Sequence, residues 1–339
     1  DADFLKSILP DLDADYDKWE KERQLTSGLF WQHDVKDGME ESLSGGRKVQ
    51  NARPTINSYM YGNAVAIAKM AAMKGDKALE EKFQAKAENL QQLIEKKLWN
   101  SNSDFFETLT QKDTLAQVRE AIGFIPWYFN LPEKGKGFEK AWEQIKDEKG
   151  FSAPFGLTTA ERRSPRFRTH GTGTCEWDGA VWPFATAQTL TALANVLRDY
   201  PQEVVKQRDW FDAFLTYTRS HVYDGVPYIG EYQDETTGQW LKGRDPRSYY
   251  YNHSTYADLL ITDLNMPGID GFRMISALAS DPACANMELI AVTALGAGEI
   301  ADRGGLPARV TVMTKPVPFD RLEQRVRAAV ERHGATRTA

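Results

Sequence analysis

Every tryptophan and every tyrosine of this chain, nine and thirteen in number, lies at or before Tyr256. Beyond it the aromatic side chains are Phe272 and Phe319, and Lys315 is the sole lysine after Lys242. A compositional step this abrupt constrains folding more than any average over the chain. One core does not divide its aromatic residues so cleanly, so the sequence reads as a fusion of two domains, and 339 residues give length for both.

The hydrophobic pattern changes at the same place. Upstream, Phe4, Leu5, Ile8, Leu9 and Leu12 recur at helical spacing, followed by Tyr16 and Trp19. A second helix is predicted from Thr55 to Lys74 with Gly75 as its stop, and a third over 78–98 with Phe83, Ala87, Leu90, Ile94 and Leu98 as its apolar stripe. Shorter helices are predicted over 118–129 and 138–146, a nearly uncharged inner helix over 179–197, and an outer one over 204–220. Alternating inner and outer helices are what an α/α toroid requires. Downstream, 259–262, 289–293 and 310–313 are short runs rich in β-branched residues, separated by helix-like segments over 272–279, 298–303 and 319–332. That alternation predicts a parallel sheet of three strands.

Charge and composition exclude several functions. A net charge of −6 argues against a nucleic-acid or anionic-membrane partner. No apolar run approaches the ~18 residues of a spanning helix. Cys175 and Cys284 have no metal-ligand spacing and read as two free thiols. No metal and no cofactor are expected. The chain opens on Asp1 instead of Met, which reads as a processed or excised piece.

Two loops combine acids, aromatic residues and glycines: Gly28-Leu29-Phe30-Trp31-Gln32-His33-Asp34-Val35-Lys36-Asp37-Gly38-Met39-Glu40-Glu41-Ser42 and Tyr228-Ile229-Gly230-Glu231-Tyr232-Gln233-Asp234-Glu235-Thr236-Thr237-Gly238. Aromatic faces suit the C–H faces of sugars, and adjacent acids suit their hydroxyls. Glycoside hydrolysis needs two carboxyl groups, one to protonate the leaving oxygen and one to activate water or attack. Further blocks follow the same order: Arg53-Pro54-Thr55-Ile56-Asn57-Ser58-Tyr59-Met60-Tyr61, Trp177-Asp178-Gly179-Ala180-Val181-Trp182-Pro183, and Tyr251-Asn252-His253-Ser254.

With these blocks, residues 3–262 resemble the catalytic barrel of the mannosylglycerate-hydrolase-like glycosidases, related to glycoside hydrolase family 63 and more distantly to trehalases. The resemblance implies a mainly α fold, an incomplete (α/α)6 toroid of about ten helices, one helix pair short. It implies an inverting mechanism on a small carbohydrate. Glu40 is then the general acid, with Asp37 as the alternative acid, and Glu231 is the general base. Trp31, Asp34, Trp177, Asp178, Trp182, Tyr251 and His253 are the implied substrate-binding residues. Each has a plainer reading: the acids as solvated loop residues, Trp177 and Trp182 as core, Asp178 as a helix N-cap, His253 as a structural histidine.

After the break, Asp263-Leu264-Asn265-Met266-Pro267-Gly268-Ile269-Asp270-Gly271 follows an apolar run, Thr293 ends the next, and Lys315-Pro316 ends the third. This set resembles the second half of a bacterial response-regulator receiver domain. By that resemblance Asp263 is the phosphoacceptor, Thr293 the switch hydroxyl and Lys315 the phosphate-contacting lysine. A receiver has five strands, ordered 2-1-3-4-5. The first strand and its acidic Mg²⁺-binding pair have no counterpart before Leu259, so no phosphoryl transfer is expected.

The two resemblances meet in Asp258-Leu259-Leu260-Ile261-Thr262, which each family uses differently. The barrel continues a helix through it; the receiver makes it a buried strand. A helix is expected over 256–263, with a glycosidase-like domain at 1–260 and a receiver-like segment at 261–339. Three readings stay open: a glycoside hydrolase, affected or not by fusion; a signalling protein acting through Asp263; and a non-catalytic sugar binder. The families disagree about compartment, and a protein partner is not indicated.

Overall fold

The computed structural model describes residues 2–169, 177–224, 226–241, 259–262, 264–266, 269–280, 282 and 288–315, with isolated positions between 320 and 328. The chain divides into two compact units. One comprises Asp1–Ala153 and Leu157–Val205, the other Pro154–Gly156 and Lys206–Ala339.

The first unit is built from helices. Helix α1 spans Ala2–Arg23 and buries Leu9 and Tyr16. Helix α2, Pro54–Lys74, opens on Pro54, whose missing N–H costs nothing in a first turn. It stops at Gly75, which takes the left-handed conformation (φ 77°) and returns its N–H to the carbonyls of Ala71 and Ala72. Helix α3, Lys77–Leu98, is capped by the Asp76 side chain, which accepts from Leu79 N–H. It buries the predicted stripe of Phe83, Ala87, Leu90, Ile94 and Leu98. Tyr16 meets the Phe83 ring edge-on at 5.1 Å, which joins α1 to α3.

Two predicted helices are tighter and shorter than their patterns suggest. The 118–129 segment is a 3-10 turn, Ala121–Phe124, running into a single turn α4, Ile125–Tyr128. Glu120 is extended (φ −129°, ψ 153°), so no helix runs through it and the turn begins at Ala121. The 138–146 segment is 3-10 over Phe138–Ile145. Its Trp142 packs with Phe124 and Trp127 in an aromatic core. Helix α5 spans Pro183–Asp199, starting four residues later than predicted, because Ala180 is left-handed (φ 58°) and Pro183 takes the first helical position.

The second unit opens with α6, Gln207–Ser220, amphipathic with Trp210, Phe214 and Tyr217 buried. A two-residue antiparallel pairing of Val222–Tyr223 with Val226–Pro227 follows. Farther along are α7, Gly271–Ser280, α8, Ala297–Asp302, and a parallel sheet of the strands Leu259–Thr262, Glu288–Thr293 and Val310–Thr314. The Glu288–Thr293 strand is central.

That sheet corrects the helix expected over 256–263. Leu259–Thr262 is extended and pairs in parallel, Leu260 opposite Leu289 and Ile261 opposite Ile290. Leu289, Ile290 and Ala291 are fully buried, so the ladder groups of their strand need partners on both sides. A helix at 259–262 would leave one side empty. Residues 256–258 and 263 lie outside the described residues, as do both cysteines.

Candidate active site

The first acidic loop organises itself around Asp34. A 3-10 turn, Asp34–Lys36, lets the Asp34 carbonyl accept from the N–H groups of Asp37 and Met39, both at 3.2 Å. Its carboxylate Oδ2 accepts from Glu41 N–H at 3.0 Å, holding Glu41 in a left-handed conformation (φ 61°). Asp34 is buried, and its other oxygen, Oδ1, has no hydrogen-bond partner among the described residues.

Asp37 is buried against Arg53, the residue before α2. Arg53 Nε donates to Asp37 Oδ2 at 2.8 Å, and Thr55 Oγ1 donates to the same oxygen at 2.6 Å. Arg53 Nη1 donates to Ser42 Oγ at 3.0 Å. Neither side chain of the Arg53–Asp37 pair has any exposure. Burial pushes the Asp37 carboxyl above its ordinary range, with the Arg53 charge opposing.

Glu120, from the turn before α4, closes the other side of this cluster. It accepts from Ser44 N–H at 3.3 Å and is also bonded to Ser44 Oγ. Ser44 Oγ lies 2.8 Å from Thr108 Oγ1 as well. Burial raises the Glu120 carboxyl, again against Arg53. Three carboxyl groups around one guanidinium cannot all be charged cheaply in a low dielectric. Ser44 Oγ, with its one proton, lies within hydrogen-bond reach of both Glu120 Oε2 and Thr108 Oγ1. Neither Arg53 nor Glu120 was singled out from the sequence. The Arg53-Pro54-Thr55 block pointed to the region, and an isolated Glu120 carried no signal.

Glu40 differs from its neighbours. It is half-buried, and its backbone carbonyl accepts from Trp177 N–H at 3.3 Å. Among the described residues its carboxyl has no hydrogen-bond or ion-pair partner. Trp31 is also half-buried; the Arg23 guanidinium covers one face at 4.3 Å, and His33 stands edge-on at 5.1 Å. Trp177 and Trp182 are buried and stacked on each other, centroids 4.0 Å apart and planes 24° apart. Asp178 is not the N-cap of α5, a place taken by Trp182; its buried carboxylate accepts from Arg168 Nε at 2.6 Å.

In the second unit Glu231 is buried at the start of a tight hairpin. Gln233 pairs with Trp240, and Leu241 N–H donates to the Tyr232 carbonyl at 3.0 Å. Asp234 Oδ1 makes the turn by accepting from Thr236 N–H at 2.8 Å and Thr237 N–H at 2.7 Å. The end of α6 anchors this hairpin: Gln233 Nε2 donates to Ser220 Oγ at 2.8 Å, and Trp240 Nε1 to the Val222 carbonyl at 3.0 Å. His221, at the same place, is buried and edge-on to Tyr217; burial pushes it down to about 3, so it stays neutral. No sequence signal pointed to His221.

Tyr251, His253 and Asp263 lie outside the described residues. Thr293 is fully buried at the end of the central strand, where its Oγ1 accepts from Leu295 N–H at 3.2 Å. Lys315 is exposed, and its N–H donates to the Thr293 carbonyl at 2.8 Å. The structure therefore brings these two receiver-like positions together. Among the described residues no group of three or more His, Cys, Asp or Glu could hold a metal ion, and no helix is long and apolar enough to cross a membrane.

Residues 1–254 match the family model of the mannosylglycerate hydrolase MGH1-like glycoside hydrolase domain. Residues 233–327 match that of the response regulator receiver domain. The two matches overlap over 233–254. No curated protein matches the chain. Among solved structures, a protein named sialidase is 55% identical with a TM-score of 0.74, over 80% of this chain and 25% of its own. The chain thus spans about a quarter of that relative's length. An uncharacterized conserved protein from Thermus thermophilus is 15% identical, TM-score 0.56, over 70% of this chain and 67% of its own. The GH63 mannosylglycerate hydrolase of the same organism, in complex with glucose, is 16% identical, TM-score 0.55, over 71% and 66%. At such identities the last two likenesses concern the fold, which is that of the helical-toroid glycosidases.

Proposed function

The chain belongs to the mannosylglycerate hydrolase MGH1-like glycoside hydrolases, and on that premise we propose that it cleaves a small α-linked glycoside with inversion, Glu40 acting as acid and Glu231 as base. Glu40 gives its proton to the glycosidic oxygen as the bond to the anomeric carbon breaks. Glu231 takes a proton from water as the water oxygen bonds to that carbon from the opposite face. Such a pair stands roughly 6.5–9.5 Å apart, leaving room for the water. Trp31, Asp34, Trp177, Asp178, Trp182, Tyr251 and His253 are the proposed sugar-binding set. The glycosidase portion is residues 1–260 in this reading, and 261–339 is a receiver-like segment.

The choice of Glu40 over Asp37 rests on how the loop uses its acids. Asp37 is consumed by Arg53 and Thr55. Glu40, three residues on, keeps a carboxyl with no protein partner among the described residues.

The test is a panel of α-linked disaccharides and α-glycosides of glycerol and glycerate, with the product anomer followed by proton NMR. Glu40→Gln and Glu231→Gln should each lower kcat by about 10²–10⁴-fold, and the first-formed sugar should have the β configuration. Full turnover in both variants removes the two assignments; an α product removes inversion.

A further inference from the structure

We propose that Arg53 is the positioning residue for the general acid: its guanidinium holds the acid-bearing loop on both sides of Glu40 and so fixes where that carboxyl points. The proposal rests on the assignment of Glu40 as acid. Nε and Nη2 bind Asp37, three residues before Glu40, and Nη1 binds Ser42, two residues after it. The loop then closes back over the guanidinium at Gly45, where a Cβ would lie 2.8 Å from Nη1 and 2.3 Å from Ser42 Oγ. Only a residue without a side chain lets the backbone pass there.

The clamp is itself immobile. Arg53 is fully buried, and Pro54 behind it is the first residue of α2. The Arg53 carbonyl accepts from Asn57 Nδ2 at 2.8 Å, while Asn57 Oδ1 accepts from Phe30 N–H at 2.8 Å at the far end of the loop. The loop that carries Glu40 is therefore referenced to helix α2 through the Arg53 fork, with Thr55 on Asp37 and Asn57 on Phe30 as further ties. Lysine cannot replace the fork, because one ammonium nitrogen on a flexible stem does not span Asp37 and Ser42 together. A displacement of about 1 Å at a reacting group can cost about 10²-fold in rate.

A misplaced acid leaves a particular mark. Alkoxide leaving groups need a proton, whereas fluoride departs without one. The test compares wild type, Ser42→Ala, Arg53→Lys and Glu40→Gln on α-mannosyl and α-glucosyl fluorides and on the matching glycosides of glycerol. Ser42→Ala and Arg53→Lys should lose at least about ten-fold more kcat on the glycerol glycosides than on the fluorides, with KM little changed, in the same direction as Glu40→Gln. Should Arg53→Lys fail to fold, Ser42→Ala, which leaves the buried ion pair intact, carries the comparison. If Glu40→Gln discriminates between the substrates and the clamp variants do not, the clamp is refuted and the acid stands. If Glu40→Gln does not discriminate, or wild type turns over neither class, the acid assignment fails and the clamp falls with it.

Discussion

Around Arg53, chemically identical carboxyl groups acquire different jobs from their surroundings. Asp37 is paired, Asp34 binds the loop to itself, and Glu120 is buried against a serine hydroxyl. Glu120 makes a pH prediction possible. Its folded-state pKa is raised, so the folded state holds a proton that the unfolded state releases at about pH 4.3. Its contribution to stability is full below that pH and declines as pH rises through the folded-state value. Glu120→Gln keeps the neutral shape without the titration. Its Tm relative to wild type should therefore climb between about pH 4.5 and 8, as checked by thermal unfolding across that range; a constant difference would mean that Glu120 is ionised in the fold. Sequence reading reached Glu40, Asp34 and Asp37 because they sit in one loop that combines acids with Trp31, Gly28 and Gly38. It missed Glu120 and His221 because burial leaves no mark on a residue's neighbours in the chain.

At the scale of elements, α1, α2 and α3 follow closely from local pattern, a 3.6-residue apolar repeat with Gly75 as a stop, and the structure adds Asp76 as the cap of α3. Close packing adds what the pattern omits. Gly62, inside α2, lies against the ring of Phe129, where a Cβ would come within 2.3 Å of Cδ1. Alanine is worth about 1 kcal/mol more than glycine in a helix interior, but overpacking costs about 1–3 kcal/mol. Gly62→Ala should accordingly lower stability in urea unfolding, and Phe129→Leu in the same chain should recover part of the loss. A stabilised single variant would show that the ring moves aside freely. The strand Leu259–Thr262 is the opposite case. Four residues, two of them leucine, fit a helix as well as a strand, and only the partner strand Glu288–Thr293 chooses between them.

For the whole molecule, two family resemblances occupy one chain, and their matches overlap between residues 233 and 254. The glycoside hydrolase family match covers residues 1–254. Among the described residues three parallel strands lie from Leu259 onward, with Thr293 and Lys315 adjacent at two of their ends. No acidic pair like the one that holds Mg²⁺ in receivers is expected before Leu259, and a hard cation needs several oxygen ligands. Incubation with labelled acetyl phosphate and Mg²⁺ should leave the protein unlabelled. Stoichiometric incorporation that disappears in Asp263→Asn would overturn this and restore a signalling role.

By itself the sequence determined the two ancestries, the long helices and the loop in which the acid is sought, because these depend on residue identity and short-range periodicity. The tertiary structure decided that Leu259–Thr262 is extended and that Asp37 is bound to Arg53, leaving Glu40 without a protein partner among the described residues. Those outcomes depend on which distant groups fill a backbone ladder or neutralise a buried charge, and no local window of the chain contains both members of such a pair.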